Sequence, residues 1–232
     1  MGAMDTLVDA SVLLSMLGNE FAVAVAKPEL RTNELFPEEQ QYIANAVSKR
    51  RAEFATARIC ARQALAQIGV TPRPLVPQAD RSPYWPPGIR GSITHTTGCC
   101  AVVVTDSPSI LAVGIDVEAD SPLEADLESL ICVAAERSWL SRVNGSERSA
   151  LLKLIFSAKE SFYKCQYTRT KSWLNFVDVQ LNIDLSSRRF EIADVFNDRP
   201  SSSFARSVQG KFRWTRGFIV TTAVCTTRSP PG

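Results

Sequence analysis

Two carboxylates stand two residues apart in the otherwise apolar run Leu111-Ala-Val-Gly-Ile-Asp-Val-Glu118. The run reads as a buried strand, and strand residues two apart share a face. Asp116 and Glu118 then lie side by side while Ile115 and Val117 face the core. Their repulsion is costly unless a cation lies between them. A hard cation such as Mg2+ suits the pair, because it takes one or two carboxylates and completes its shell with water and substrate phosphate. A strand end emerging into solvent is the alternative.

Three further segments carry chemistry. In Phe156-Ser-Ala-Lys-Glu-Ser-Phe-Tyr-Lys164 the residues Ser157, Glu160 and Lys164, with Lys153 just before them, fall at helical spacing on the side away from an apolar stripe. The plain reading of Glu160 and Lys164 is an exposed pair one turn apart. Lys49-Arg50-Arg51-Ala-Glu-Phe-Ala-Thr-Ala-Arg58-Ile-Cys-Ala-Arg62 sets five basic residues against one acidic. It is either a solvated helix face or a site for a concentrated anion, since arginine offers phosphate a bidentate fork. In Gly91-Ser-Ile-Thr-His-Thr-Thr-Gly98 the one histidine, His95, sits at a strand end among hydroxyls beside a turn glycine. A lone histidine is commonly structural, but this donor set also suits a phosphate.

These residues need elements to hold them. Phe21–Ala26 reads as a buried strand, and Pro37 opens a long helix whose apolar stripe (Ile43, Val47, Phe54, Ala61, Leu65, Ile68) runs to Gly69. A proline-rich loop leads to strands at 91–96 and 99–105, then to the acidic strand 110–118. Residues 119–129 read as loop, Val133–Val143 as a short helix ended by Asn144-Gly145, and Leu151, Leu154, Ile155, Ala158, Phe162 and Cys165 mark a second long helix capped by Ser146. Strands follow at 176–185, 189–196 and 211–225, with a hairpin turn at Arg216-Gly217. The order predicts an α+β chain of two similar lobes, 5–112 and 113–226, and a disordered tail at 227–232.

Taken in this order, the residues resemble the Sfp-type 4'-phosphopantetheinyl transferases, in the branch that contains enterobactin synthase component D and the actinobacterial type II enzymes. The most specific pieces are Gly114-Ile-Asp-Val-Glu118 and Phe156-x-x-Lys-Glu-x-x-Tyr-Lys164. Residues 50–62, Trp85-Pro86, Gly91–His95 and Trp173-Leu-x-Phe-x-Asp178 support them. The resemblance implies two pseudo-symmetric α+β lobes with the active site in the cleft. It also implies a reaction in which the phosphopantetheine arm of coenzyme A (CoA) passes to a serine of an acyl or peptidyl carrier protein and 3',5'-ADP is released.

By position the resemblance makes Asp116, Glu118 and Glu160 the ligands of Mg2+, for which Mn2+ could substitute. Glu160 would draw the serine proton, with Glu118 as the alternative. Lys159 and Lys164 would hold phosphate oxygens, and Thr94, His95 and Thr96 would donate to CoA phosphates. Arg50 and Arg58 match positions at the 3'-phosphate. Arg81 stands in for a lysine that related enzymes carry before Trp85. A chain of this length carries both lobes, so a monomer is expected. The pathway stays open among siderophore, polyketide, peptide and fatty-acid synthesis. An Mg2+-dependent CoA or nucleotide phosphohydrolase and a nonenzymatic CoA- or RNA-binding regulator are the rival readings.

Composition narrows the field. The sum of 26 Lys+Arg and 24 Asp+Glu, +2, is no nucleic-acid footprint. One histidine excludes chemistry needing two imidazoles. The six cysteines form no C-x-x-C pair, which argues against a zinc ribbon or thioredoxin-type centre. No apolar run is long enough for a signal peptide or membrane span, so a cytoplasmic protein that does not engage membranes is expected. Met1-Gly2-Ala3-Met4 reads as an expression scar and is left out of the fold argument.

Overall fold

The computed structural model of the chain describes residues 8–143, 145–196 and 199–227; the leader 1–4, Asn144 and the tail after Thr227 lie outside them. The chain divides into two units after Pro108. The division precedes residue 112 because Ile110 already pairs with Thr226 in the second unit's sheet.

The first unit holds α1 (Ala10–Leu17), β1 (Ala22–Ala26), α2 (Pro37–Tyr42), α3 (Ser48–Gln67), β2 (Arg90–Thr96) and β3 (Cys99–Thr105). Its antiparallel sheet has the order β1-β3-β2. β3 is buried along its whole length. From α3, Cys60, Ala61, Ala64 and Leu65 pack on Ala22, Ala24, Val102 and Val104. Small side chains on both sides bring helix and sheet close.

The helix expected from Pro37 to Gly69 is two helices. Arg62 Nη1 lies 2.9 Å from Glu39 Oε2 across 23 residues of sequence, a span of ~35 Å in a straight helix. The ion pair therefore requires a break, which falls at residues 43–47, where Ile43 turns in to pack beside Phe54 and Leu35. Apolar periodicity continues through the break because Ile43 stays in the core on either path.

The second unit holds β4 (Ile110–Ala119), α4 (Glu128–Ile131), α5 (Ala134–Leu140), α6 (Gly145–Thr170), β5 (Val179–Asp184), β6 (Arg189–Val195), α7 (Arg199–Ala205), β7 (Val208–Thr215) and β8 (Phe218–Thr226). The antiparallel sheet runs β4-β8-β7-β6-β5. Arg216 (φ 46°) and Gly217 (φ 79°) both take the left-handed conformation that a two-residue hairpin turn of the primed type needs. The stripe predicted on α6 is buried in this unit's core. Two short helices add to the expected elements: α4 overlaps the end of the stretch 119–129 read as loop, and α7 lies between the strands expected at 189–196 and 211–225. Each unit packs one long helix on an antiparallel sheet, which makes the chain α+β.

Candidate active site

β4 and α6 meet at closer than ordinary helix–sheet distance. A Cβ placed on Gly114 would come 1.9 Å from Ser161 O and 2.6 Å from Cys165 N, both backbone atoms. Glycine at 114 therefore permits the approach, and period two then carries Asp116 and Glu118 onto the same face. Asp116 is buried. Its Oδ1 accepts from Lys164 Nζ at 2.7 Å, and its Oδ2 accepts from Ser157 Oγ at 2.8 Å. Lys164 Nζ also donates to Ile115 O at 3.1 Å.

The α6 face that the sequence placed away from the core is thus buried against the sheet, with Lys153 and Ser157 inside. Lys164 pairs with Asp116 across elements, so an exposed Glu160–Lys164 pair is not what forms. Ser157 and Thr221 were missed as site residues. Thr221 Oγ1 donates to Ser157 O at 2.8 Å and lies 3.0 Å from Ser157 Oγ. Thr221 faces Asp116 in the β4–β8 register. A strand-to-strand neighbour of this kind leaves no local signal in the sequence.

Burial pushes the Glu118 carboxyl up to about 7, reinforced by the charge of Asp116 and opposed by Lys153 and Lys164. Burial also raises Glu160, with Lys164 opposing and Asp116 reinforcing. Among the described residues no three His, Cys, Asp or Glu side chains are drawn into a ready-made metal cage. What is present is a crowded set of oxygen donors whose charge a divalent cation would relieve. Mg2+ tolerates such an open set because water and phosphate complete its shell.

Lys159 departs from its expected place at a phosphate. Its Nζ is buried, donating to Glu136 Oε2 at 2.7 Å, Ile131 O at 2.8 Å and Phe176 O at 2.9 Å. All three donors are spent inside the protein. Consecutive helix residues lie ~100° apart, so Glu160 and Lys159 leave α6 in different directions. Beside Glu160 a cavity of about 300 Å³ opens, lined by Phe162, Tyr163, Leu174 and Phe176, with Leu130 (64% exposed) and Trp173 (77% exposed) among its residues.

In the first unit, Arg58 is 6% exposed. Its guanidinium lies 4.2 Å from the Phe54 ring centroid, and Nε donates to Leu75 O at 2.6 Å. Among the described residues no carboxylate lies within ion-pair distance of it. Burial lowers its pKa to about 10, so the group stays charged at neutral pH. Glu39 offsets that burial only from a distance; a buried cation without a direct ion pair is costly, and a bound anion would reduce that cost. Two turns earlier on α3, Arg51 Nε is buried without a hydrogen-bond partner.

Arg50 Nη1 lies 3.1 Å from His95 Nε2. A guanidinium only donates, so Nε2 accepts and the proton sits on Nδ1, 3.7 Å from Glu53 Oε2. Thr94 and His95 are consecutive strand residues and point to opposite faces. Thr94 is buried on the face away from α3, so the expected trio of Thr94, His95 and Thr96 does not form one donor set. Arg62 serves Glu39. Arg81 is exposed in a loop, with its N–H donating to Gln78 O, and no contact among the described residues joins it to Arg50, Arg58 or His95.

Comparison with known proteins follows the same division. The model of the 4'-phosphopantetheinyl transferase N-terminal domain matches residues 38–105, and that of the 4'-phosphopantetheinyl transferase superfamily matches 112–223. The 4'-phosphopantetheinyl transferase Svp of Streptomyces mobaraensis is 37% identical over 182 residues, covering 78% of this chain and 74% of that protein. PptT of Mycobacterium tuberculosis is 35% identical over 223 residues, covering 93% and 96%. Npt of Nocardia iowensis is 34% identical over 168 residues, covering 72% of each. The acidic strand with its paired helix in one unit and the basic helix in the other are therefore parts of one inherited architecture, and the chain belongs to the 4'-phosphopantetheinyl transferase superfamily.

Proposed function

We propose that this transferase moves the 4'-phosphopantetheine of CoA onto a serine hydroxyl of an acyl or peptidyl carrier protein. The serine oxygen attacks the pantetheine-side phosphorus of the CoA pyrophosphate. The new oxygen–phosphorus bond replaces the one to the leaving 3',5'-ADP, and the serine proton passes to a carboxylate. The observation that carries the reading is the set of three carboxylates and Lys164 at the β4–α6 contact, bordered by an apolar cavity.

Glu160 is assigned to the proton because it lines the cavity, where the incoming group would lie, with Glu118 as the alternative. Lys164 is held by Asp116 and Ile115 O, which leaves its third N–H for a phosphate oxygen. Asp116, Glu118 and Glu160 would hold Mg2+ or Mn2+, which when bound neutralises charge on the pyrophosphate. The cavity beside Glu160 suits the mostly apolar pantetheine arm. Arg58 and the Arg50–His95 pair would take the 3'-phosphate. The reading places the enzyme in the cytoplasm, where CoA is, as a monomer, since one chain carries both residue sets; no helix among the described residues is long and apolar enough to cross a membrane.

The test incubates the protein with CoA, Mg2+ and an apo carrier protein and reads the carrier's mass. A gain of one phosphopantetheine is expected. CoA cleavage with an unchanged carrier would point to a phosphohydrolase, and CoA binding without turnover to a regulator.

A further inference from the structure

Lys159 stands outside the chemistry just described, yet it is among the largest fully buried side chains of the chain. Its partner Glu136 is equally committed. Oε2 also accepts from Val133 N at 2.9 Å, and Oε1 accepts from Leu181 N at 2.9 Å. One buried ion pair thus joins the end of α4 through Ile131 O, the start of α5, the middle of α6, the 3-10 turn Phe176–Asp178 and β5. Lys159, Phe176, Val179 and Glu160 all line the cavity. Phe176 is further held by its ring against Phe156, with centroids 5.2 Å apart.

Apolar residues of equal volume often stabilise a core as well as a buried ion pair does. They cannot hold a backbone carbonyl in place, and Phe176 O is held by Lys159. We propose that Lys159 and Glu136 are positioning residues whose tie fixes the Phe176–Val179 wall of the cavity, and so sets where the pantetheine arm lies relative to Glu160. The inference rests on the cavity receiving that arm. It replaces a phosphate contact for Lys159 with a role exerted through the wall.

The test compares Lys159→Met, Glu136→Gln and the double variant below all their melting midpoints. If Lys159→Met alone does not fold, the double variant, which removes both charges together, carries the comparison. The tie predicts that kcat falls about tenfold to a hundredfold in each single variant and no further in the double, as misplacement of a bound group does. Affinity for pantetheine, which has no phosphate, should fall about tenfold by ligand-observed NMR, a loss of about 1.4 kcal/mol. Affinity for 3',5'-ADP, which has no arm, should stay at the wild-type value. Weakened 3',5'-ADP binding in Lys159→Met but not in Glu136→Gln would return Lys159 to the phosphates and overturn the proposal. Unchanged kcat with lowered melting would reduce the tie to a structural support and overturn it equally. A wild type that binds pantetheine but transfers nothing would count against the transfer reading, while the pantetheine comparison would still decide the tie.

Discussion

The two units share one structural device and differ in the chemistry attached to it. In the first, Glu39 at the third position of α2 accepts from Phe36 N at 3.0 Å, Leu75 N at 2.8 Å and Arg62 of the long helix at 2.9 Å. In the second, Glu136 at the third position of α5 accepts from Val133 N, Leu181 N and Lys159 of the long helix. Each buried glutamate reaches back to its own helix start, across to a distant backbone N–H, and onto a cation from α3 or α6. The strands packed on those helices differ. β1 offers Ala22, Ala24 and Ala26, whereas β4 offers Gly114, Asp116 and Glu118. The scaffold is common to both units, while the carboxylates belong to one unit and the unpaired buried arginine to the other.

That division can be broken most sharply at Glu160. Glu160→Gln keeps the shape and removes the base. Transfer should fall about 10²–10⁴-fold, the usual worth of a general base, with the thermal melt shifted little. A variant that keeps full transfer would show that Glu160 takes no proton.

The shared device comes next. Lys159→Met leaves Glu136 buried and uncompensated, which should cost about 3–5 kcal/mol in urea unfolding. Arg62→Met strands Glu39 in the same way, but Arg62 is partly exposed and water can reach the space it leaves. A cost of about 2 kcal/mol is expected there. Equal costs would show that the two glutamates are equally sealed, against the exposure of their partners.

The helix-facing strands supply the third comparison. Gly114→Ala drives a Cβ into Ser161 O and Cys165 N, where only backbone can yield, so about 3 kcal/mol should be lost together with transfer. β1 already carries alanine at its helix-facing positions, and Ala24→Gly should cost only about 0.5–1 kcal/mol. Thermal melts of the two variants side by side measure the difference in helix–sheet spacing between the units.

Much of this was legible in the sequence, and the exceptions have physical causes. Strand period two put Asp116 and Glu118 on one face, and the apolar stripe located α6. The break after α2 and the inward turn of Lys159 could not be read, because both are imposed by a buried glutamate 23 residues away in sequence. Local periodicity carries no record of such a partner. Thr94 and His95 differ in another way: strand alternation separates neighbours, so the side chains of this run of hydroxyls alternate between faces. Ser157 was visible as a polar residue on α6, but its role depends on Thr221, a cross-sheet neighbour of Asp116 that only the β4–β8 register reveals.

The smallest expected effect tests the other side of the division, whether the first unit's cation is there for an anion. Arg58→Ala removes a charge that burial makes costly and that Glu39 offsets only at a distance, without an ion pair. If that charge serves the 3'-phosphate of CoA, affinity for CoA should fall about tenfold, or about 1.4 kcal/mol. Affinity for dephospho-CoA, which lacks that phosphate, should fall much less. The loss of the bond to Leu75 O lowers stability with either ligand, so only the difference between the two ligands reports on the phosphate. Because the group stays protonated up to a pKa of about 10, this difference should be flat across neutral pH. An equal loss for both ligands would make Arg58 a brace for the loop at Leu75, and of the basic helix only Arg50 would then remain for the 3'-phosphate.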